Sequence, residues 1–286
     1  MNSLKEALAW AEEKKLAIGH FNISDSEGFK AVVEGARFLS LEGFKVPVVI
    51  GVSEGERDFI GLKEVIALAK VARDGGLPVF VNADHTYSLE RAFAAIDAGV
   101  DSVIIDFAGK SFEENVLATK RVVEYAKGKS VLVEGELGFI GQSSKVLENL
   151  PEGVSEETQT KPEEAKMYVE ETGIDLLAPS VGNVHGMVRG GEPKLNIERI
   201  ASLKEAVSVP LVLHGASGNS NEEIGKAIEA GIRIVHINTE LRLAYKEGIR
   251  EGLESEEVAP YKFMAQGVLG MKEVVVKKLK LFNNLN

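Results

Sequence analysis

Five histidines and a small set of acids are the residues of this chain best suited to chemistry, and they lie far apart in sequence. The histidines are His20, His85, His185, His214 and His236, and there is no cysteine. Thiolate nucleophiles, iron–sulfur clusters and Cys-rich zinc sites are therefore excluded, and any metal must take His, Asp or Glu. His85 sits in Asn82-Ala83-Asp84-His85-Thr86, His185 in Gly182-Asn183-Val184-His185-Gly186, and His214 opens His214-Gly215-Ala216-Ser217-Gly218. Three neutral imidazoles converging on an open coordination position suit a catalytic Zn²⁺ or a related divalent ion. General acid–base work or phosphate contact is the next reading and a structural role the last, because no local ligand spacing proves a metal site.

Asp84 neighbours His85, so the two side chains should diverge in a regular strand and can both reach one site only where the strand has ended. A carboxyl group there can exchange a proton with a substrate oxygen beside a metal-held carbonyl; the alternative is a solvated loop Asp that fixes a turn. In Val133-Glu134-Gly135-Glu136-Leu137 the two acids alternate and must share a face. Burying both is costly without neighbouring cations, which points to a metal or to buried pairing with lysine. Gly215, Ser217 and Gly218, with Asn238 and Thr239 further on, can hold an anion through backbone N–H groups and hydroxyls, unless the glycines only make tight turns.

The elements that must position these residues are read from short apolar runs. Leu16–Phe21, Val46–Gly51, Leu77–Asn82, Ser102–Asp106, Ser130–Leu137, Asp175–Pro179, Pro210–His214 and Ile232–Ile237 are too short for ordinary helices and are rich in Val, Ile and Leu. Helical spacing separates them, as in Ile60–Arg73 and Ser111–Lys127. Ser88 is placed to cap a helix that Gly99 stops, and Lys161-Pro162-Glu163-Glu164 reads as another helix opening. Eight strand–helix units predict a closed (β/α)₈ barrel in one domain, residues 1–286, with all five histidines near strand C-terminal ends at one mouth. A doubly wound open sheet is the competitor, but no Gly-rich phosphate loop follows the first strand. The long Phe139–Thr160 connection is expected to be a mobile active-site loop, and Tyr261–Leu281 to add a helix beyond the eighth unit.

Charge and hydropathy bound the partners. The 286 residues carry 33 Lys and Arg against 44 Asp and Glu, a formal charge of −11, which disfavours a nucleic-acid groove. No apolar run approaches 18 residues and no basic segment precedes an apolar one at the start, so a soluble, cytoplasmic protein without membrane association is expected.

Together, Gly19-His20-Phe21-Asn22, Ser53-Glu54-Gly55, Asp84-His85, Phe112-Glu113-Glu114-Asn115, Glu134-Gly135-Glu136-Leu137-Gly138, Gly182-Asn183-Val184-His185-Gly186 and His214-Gly215-Ala216-Ser217-Gly218 resemble class II, metal-dependent fructose- and tagatose-bisphosphate aldolases over nearly the whole chain. Each motif alone is weak; their order on successive strands is specific. The resemblance implies Zn²⁺ on His85, His185 and His214, with Glu136 as a further or alternative ligand and Glu134 in support. It implies Asp84 as the acid at the C4 oxygen, Asn22, Ser53 and Gly186 near the substrate, and phosphate on Gly215, Ser217, Asn238 and Thr239. It further implies phosphorylated ketose and triose phosphates as substrates, a monovalent cation (Na⁺ or K⁺) near the phosphate, and a homo-oligomer, dimer or tetramer. No Schiff-base lysine is required.

Three segments depart from the family pattern. Gly141-Gln142-Ser143-Ser144 replaces a glycine pair and acids, leaving Glu148, Glu152, Glu156 or Glu157 as candidates to move the enediolate proton. His236 stands where relatives usually have asparagine and is expected to contact substrate, a structural histidine being the alternative. Asp106-Phe107-Ala108-Gly109 replaces a more usual Asp-Gly-Ser, with consequences for the pocket wall. Fructose 1,6-bisphosphate is the expected substrate and tagatose 1,6-bisphosphate the runner-up. Outside cleavage stand a metal-dependent epimerase or isomerase and a phosphate-binding regulatory barrel.

Overall fold

The fold is that of a computed structural model, described for residues 1–141, 145–151, 155–189 and 193–285. Eight parallel strands close a barrel: β1 (Ile18–Asn22), β2 (Val48–Val52), β3 (Val79–Thr86), β4 (Ser102–Ile105), β5 (Leu132–Leu137), β6 (Leu176–Pro179), β7 (Leu211–Leu213) and β8 (Ile232–Ile237). Each bonds to its neighbours in sequence, and β8 pairs with β1, leaving no open edge. All eight runs expected from the sequence are present. The open-sheet competitor is excluded by the β1–β8 ladder.

The helices follow their local signals. α1 (Leu4–Lys14) and α2 (Ser26–Leu41) flank β1, and α3 (Glu54–Ile60) and α4 (Leu62–Asp74) follow β2. α5 (Leu89–Ala98) starts at Ser88, whose side chain accepts from Arg91 N–H, and stops at Gly99 in the left-handed conformation. α6 (Phe112–Ala126) follows β4, and α7 (Pro162–Thr172) opens with its proline in the first turn. α8 (Ile197–Ala206), α9 (Asn221–Ala230) and α10 (Thr239–Leu253) follow β6, β7 and β8. The expected extra helix is two pieces, α11 (Pro260–Phe263) and α12 (Ala265–Phe282), and α12 packs on α10 and α2. Among the described residues no helix is long and apolar enough to cross a membrane.

Period-two alternation puts one face of every strand inside the barrel, and those faces change character along their length. At the N-terminal end Ile18, Val49, Phe80, Leu176, Val212 and Ile234 form a buried apolar layer. α1 stoppers that layer with Leu4, Ala7, Leu8 and Ala11, a single stripe at helical spacing. Two or four residues further along the same faces come His20 and Asn22, Asn82 and Asp84, Glu134 and Glu136, His214, and His236. Apolar packing thus holds the lower barrel rigid while the polar set is presented at the C-terminal mouth.

Candidate active site

The adjacency of Asp84 and His85 is resolved by a local irregularity rather than by the end of the strand. β3 runs on to Thr86, but its register with β4 shifts between Ala83 and Thr86, and His85 takes a positive φ of 37°. A non-glycine residue holds this conformation only where its surroundings over-determine it. Here Arg57 of α3, itself buried, reaches the Asp84 and His85 carbonyls (3.4 and 3.5 Å) and donates to Thr86 Oγ1 at 3.0 Å. Neighbouring side chains that would otherwise diverge both reach the mouth.

His85, Glu136, His185 and His214 each bring one ligand atom into a group whose members all lie within 4.8 Å of one another. In each imidazole one ring nitrogen is already engaged. His85 Nδ1 meets Asp106 Oδ2 at 2.9 Å, His185 Nδ1 meets the Gly141 carbonyl at 2.7 Å, and His214 Nε2 meets Glu134 Oε1 at 2.8 Å. Nε2 of His85, Nε2 of His185 and Nδ1 of His214 remain for coordination, and a carboxylate or carbonyl behind each ring is how metal-ligating histidines are oriented. His214 Nδ1 and Glu136 Oε2 lie 3.1 Å apart, are buried, and have no hydrogen-bond partner. Orphaned donor atoms of this kind, three nitrogens and a carboxylate oxygen, fit a divalent cation.

The electrostatics divide the rings. Burial opposes charge on His85, but Asp84 and Asp106 overturn it and the ring is pushed up to about 9. Burial is likewise outweighed at His214 by Glu134 and Glu136, which raise it well above the ordinary histidine value. Burial, with His85 and His214 beside it, lowers His185 to about 3. Asp84 is driven up by burial, yet His85, His20, His214 and an Asn22 hydrogen bond hold it well below the usual carboxylate range.

Asp84 is gripped on one oxygen only. Asn22 Nδ2 donates to its Oδ2 at 2.8 Å and to Glu56 Oε2 at 3.0 Å, and Glu56 is held by Arg242 at 2.7 Å. Asp84 Oδ1 is buried without a hydrogen-bond partner, 3.7 Å from His236 Nδ1 and 4.0 Å from His85 Nε2. A pocket at this mouth is lined by Asn22, Asp84, His85, His185, Gly186, Gly215, Ser217, His236, Asn238 and Thr239. Ser217 Oγ accepts from Asn238 N–H at 3.2 Å and Glu240 N–H at 3.4 Å, which ties the loop after β7 to the start of α10.

Ten of the sequence candidates are therefore gathered around one pocket, with Glu134 and Glu136 beneath it. Ser53 is not among the lining residues; it caps α3, and its N–H donates to Glu56 at 2.8 Å. Of the loop glutamates, Glu148 pairs with Arg189 on the surface, Glu156 and Glu157 are exposed, and Glu152 lies outside the described residues, as do Gln142, Ser143 and Ser144. Sequence reasoning missed four supports: Asp106 behind His85, the Gly141 carbonyl behind His185, Arg57 at the bulge, and the Glu56–Arg242 pair. Asp106 was named only as the first residue of the segment that departs from the family pattern after β4. The lysine pairing considered for Glu134 and Glu136 gives way to imidazoles, since their ion-pair partners are His214 and His85.

A closed parallel barrel with such a cluster at its C-terminal mouth defines a (β/α)₈ enzyme whose mouth can hold a divalent metal. The family model "Fructose-bisphosphate aldolase class-II" matches residues 2–286. The chain is 38% identical over 289 residues to a fructose-bisphosphate aldolase of Geobacillus stearothermophilus, covering 99% of this chain and 96% of the relative. It is 37% identical to a probable fructose-bisphosphate aldolase of Bacillus subtilis (strain 168), covering 99% and 98%. The crystal structure of the YdjI aldolase from Escherichia coli K12 superposes with a TM-score of 0.83 at 31% identity, over 98% of this chain and 96% of that one. The chain belongs to the class II fructose-bisphosphate aldolase family and is a metal-dependent lyase.

Proposed function

We propose that this enzyme reversibly cleaves fructose 1,6-bisphosphate into dihydroxyacetone phosphate and glyceraldehyde 3-phosphate, with Zn²⁺ on His85, His185, His214 and Glu136. The observation that carries the reading is the convergence of four donor atoms beside an Asp84 oxygen that nothing else occupies. Three nitrogens and one carboxylate match the preference of zinc for four N and O donors. A bound divalent ion supplies a Lewis acid for the carbonyl next to the breaking bond.

The remaining roles follow from what the side chains present. Asp84, kept ionised, takes the C4 hydroxyl proton during cleavage and returns it during condensation. Asn22 orients its carboxylate by holding Oδ2 and leaving Oδ1 toward the pocket. His236 contacts the reacting end of the sugar. Gly215 N–H, Ser217 and the Asn238–Thr239 helix start receive a phosphate, where helix N-termini favour anions, and a monovalent cation is held beside it. Glu134 orients His214, and Ser53 acts through Glu56. Residues 1–286 work as one catalytic domain, in a cytoplasmic dimer or tetramer.

The test is triose-phosphate release by zinc-loaded and chelator-stripped protein side by side. Release that disappears on stripping and returns with zinc is the expected result. Release from tagatose but not fructose bisphosphate would move the substrate assignment, and inversion or isomerisation without fragmentation would refute aldol chemistry.

A further inference from the structure

His20 is buried to 1% exposure just below the pocket and is not among its lining residues. The β1–β8 register makes it the direct neighbour of His236, and the two rings stack at 3.5 Å with an interplanar angle of 3°. Three strands confine the His20 ring. Asn82 Nδ2 donates to Ser102 Oγ at 2.7 Å, which turns the amide oxygen toward His20, and Nε2 donates to that oxygen at 3.3 Å. On the β2 side stands Gly51, where an added Cβ would lie 2.0 Å from His20 Cε1, so only glycine leaves room for the imidazole. The far face of His236 rests on His214, with centroids 4.1 Å apart at 25°.

His236 is thus held between two rings, and only its edge is available. Nδ1 lies 3.7 Å from Asp84 Oδ1, while Nε2 is buried with no hydrogen-bond partner. The donors of His20, Asp84 and His236 cluster closely, but a shared metal is the wrong reading. Imidazole lone pairs lie in the ring plane, and two parallel planes 3.5 Å apart do not meet at one ion.

We propose that His20 is a positioning residue: by stacking on His236 it fixes the plane in which that ring meets the substrate oxygen handled by Asp84. The identity of that oxygen rests on the aldolase reading above; the control of the His236 ring by His20 does not. Stacking of aromatic rings contributes beyond burial, enough to select one ring orientation.

The test pairs histidine-labelled NMR with a double-mutant cycle on the zinc-loaded protein, metal content being measured for each variant. His20→Gln keeps a donor toward Asn82 and removes the ring. The His236 ring protons, identified by their loss in His236→Asn, are expected to move downfield when the shielding neighbour goes. In kinetics His20→Gln is expected to lower kcat about tenfold with little change in KM, and to have less than about a twofold effect in a His236→Ala background. Unmoved His236 resonances, or the same loss in both backgrounds, would overturn the proposal. If His20→Gln does not fold, His20→Asn carries the same cycle. If the wild-type protein cleaves no ketose bisphosphate, the functional reading fails and the resonances alone decide the role of His20.

Discussion

Lys278 offers the sharpest test of how the C-terminal extension supports the mouth. Its side chain, on α12, is 4% exposed, and Nζ lies 2.8 Å from Glu240 Oε1 in the first turn of α10. The same Glu240 oxygen accepts from Gly218 N–H at 3.4 Å, and Glu240 N–H donates to Ser217 Oγ, so the pair backs the loop assigned to phosphate. Replacing Lys278 by Met keeps most of the apolar stem and strands one carboxylate. Removing one partner of a buried pair costs about 3–5 kcal/mol; since the Glu240 side chain is 22% exposed, the lower end applies. At roughly 2 °C per kcal/mol for a chain of this size, the melting temperature should fall by about 6 °C. The assay is a thermal melt of metal-saturated protein, repeated with inorganic phosphate, whose stabilising effect should shrink. Lys278→Met combined with Glu240→Gln leaves no stranded charge and should recover most of the loss. A single variant within about 2 °C of wild type, or a double variant less stable than the single, would refute the electrostatic reasoning.

Three further predictions concern the metal and the acid. Glu134→Gln should weaken zinc binding about 10–100-fold, read by competition with a chromophoric chelator, because His214 loses the carboxylate that orients it. Asp84→Asn should lower kcat by about 10²–10⁴-fold with unchanged zinc content; an activity loss that tracks lost metal would contradict that role. In the metal-free protein the neighbouring acids raise His85 to about 9 and His214 well above the ordinary histidine value, whereas burial lowers His185 to about 3. Zinc binding should therefore release protons from two rings and weaken as pH falls from about 9. Titration calorimetry in buffers of different ionisation enthalpy checks this, and an identical heat in every buffer would contradict it.

The barrel was legible because strands buried on both faces must be short and continuously apolar, and eight such runs separated by helical spacing admit few architectures. α1 escaped notice because it precedes the first strand and belongs to no repeating unit; its stripe of Leu4, Ala7, Leu8 and Ala11 acquires meaning only against the barrel floor. The donor set was legible by residue type, His at strand ends and alternating acids on one strand. The pairings behind it were not, since which carboxylate backs which ring depends on inter-strand register. Asp106 meets His85 where β3 is irregular between Ala83 and Thr86, a stretch that Arg57 contacts from α3 and that local sequence does not reveal. Ser53 is a converse case: a residue that marks the family, whose backbone in this chain serves Glu56.

The charges at the mouth explain why these imidazoles and acids occur together. Asp84, Asp106, Glu134 and Glu136 are all buried or nearly so, and their ion-pair partners among the described residues are histidines, never Lys or Arg. Four carboxylates at this depth are costly without neighbouring cations. These acids raise His85 to about 9 and His214 well above the ordinary histidine value, so protons on the two rings, or a divalent ion in their place, offset the acids. Arginine or lysine in place of these rings would neutralise the acids permanently and compete with the metal. Histidine alone can surrender its proton, keep its hydrogen bond to the carboxylate behind it, and present a lone pair in front. Asp84 stands outside the exchange: Asn22 anchors one oxygen, the other faces the pocket, and it keeps the negative charge that proton transfer with a substrate hydroxyl requires.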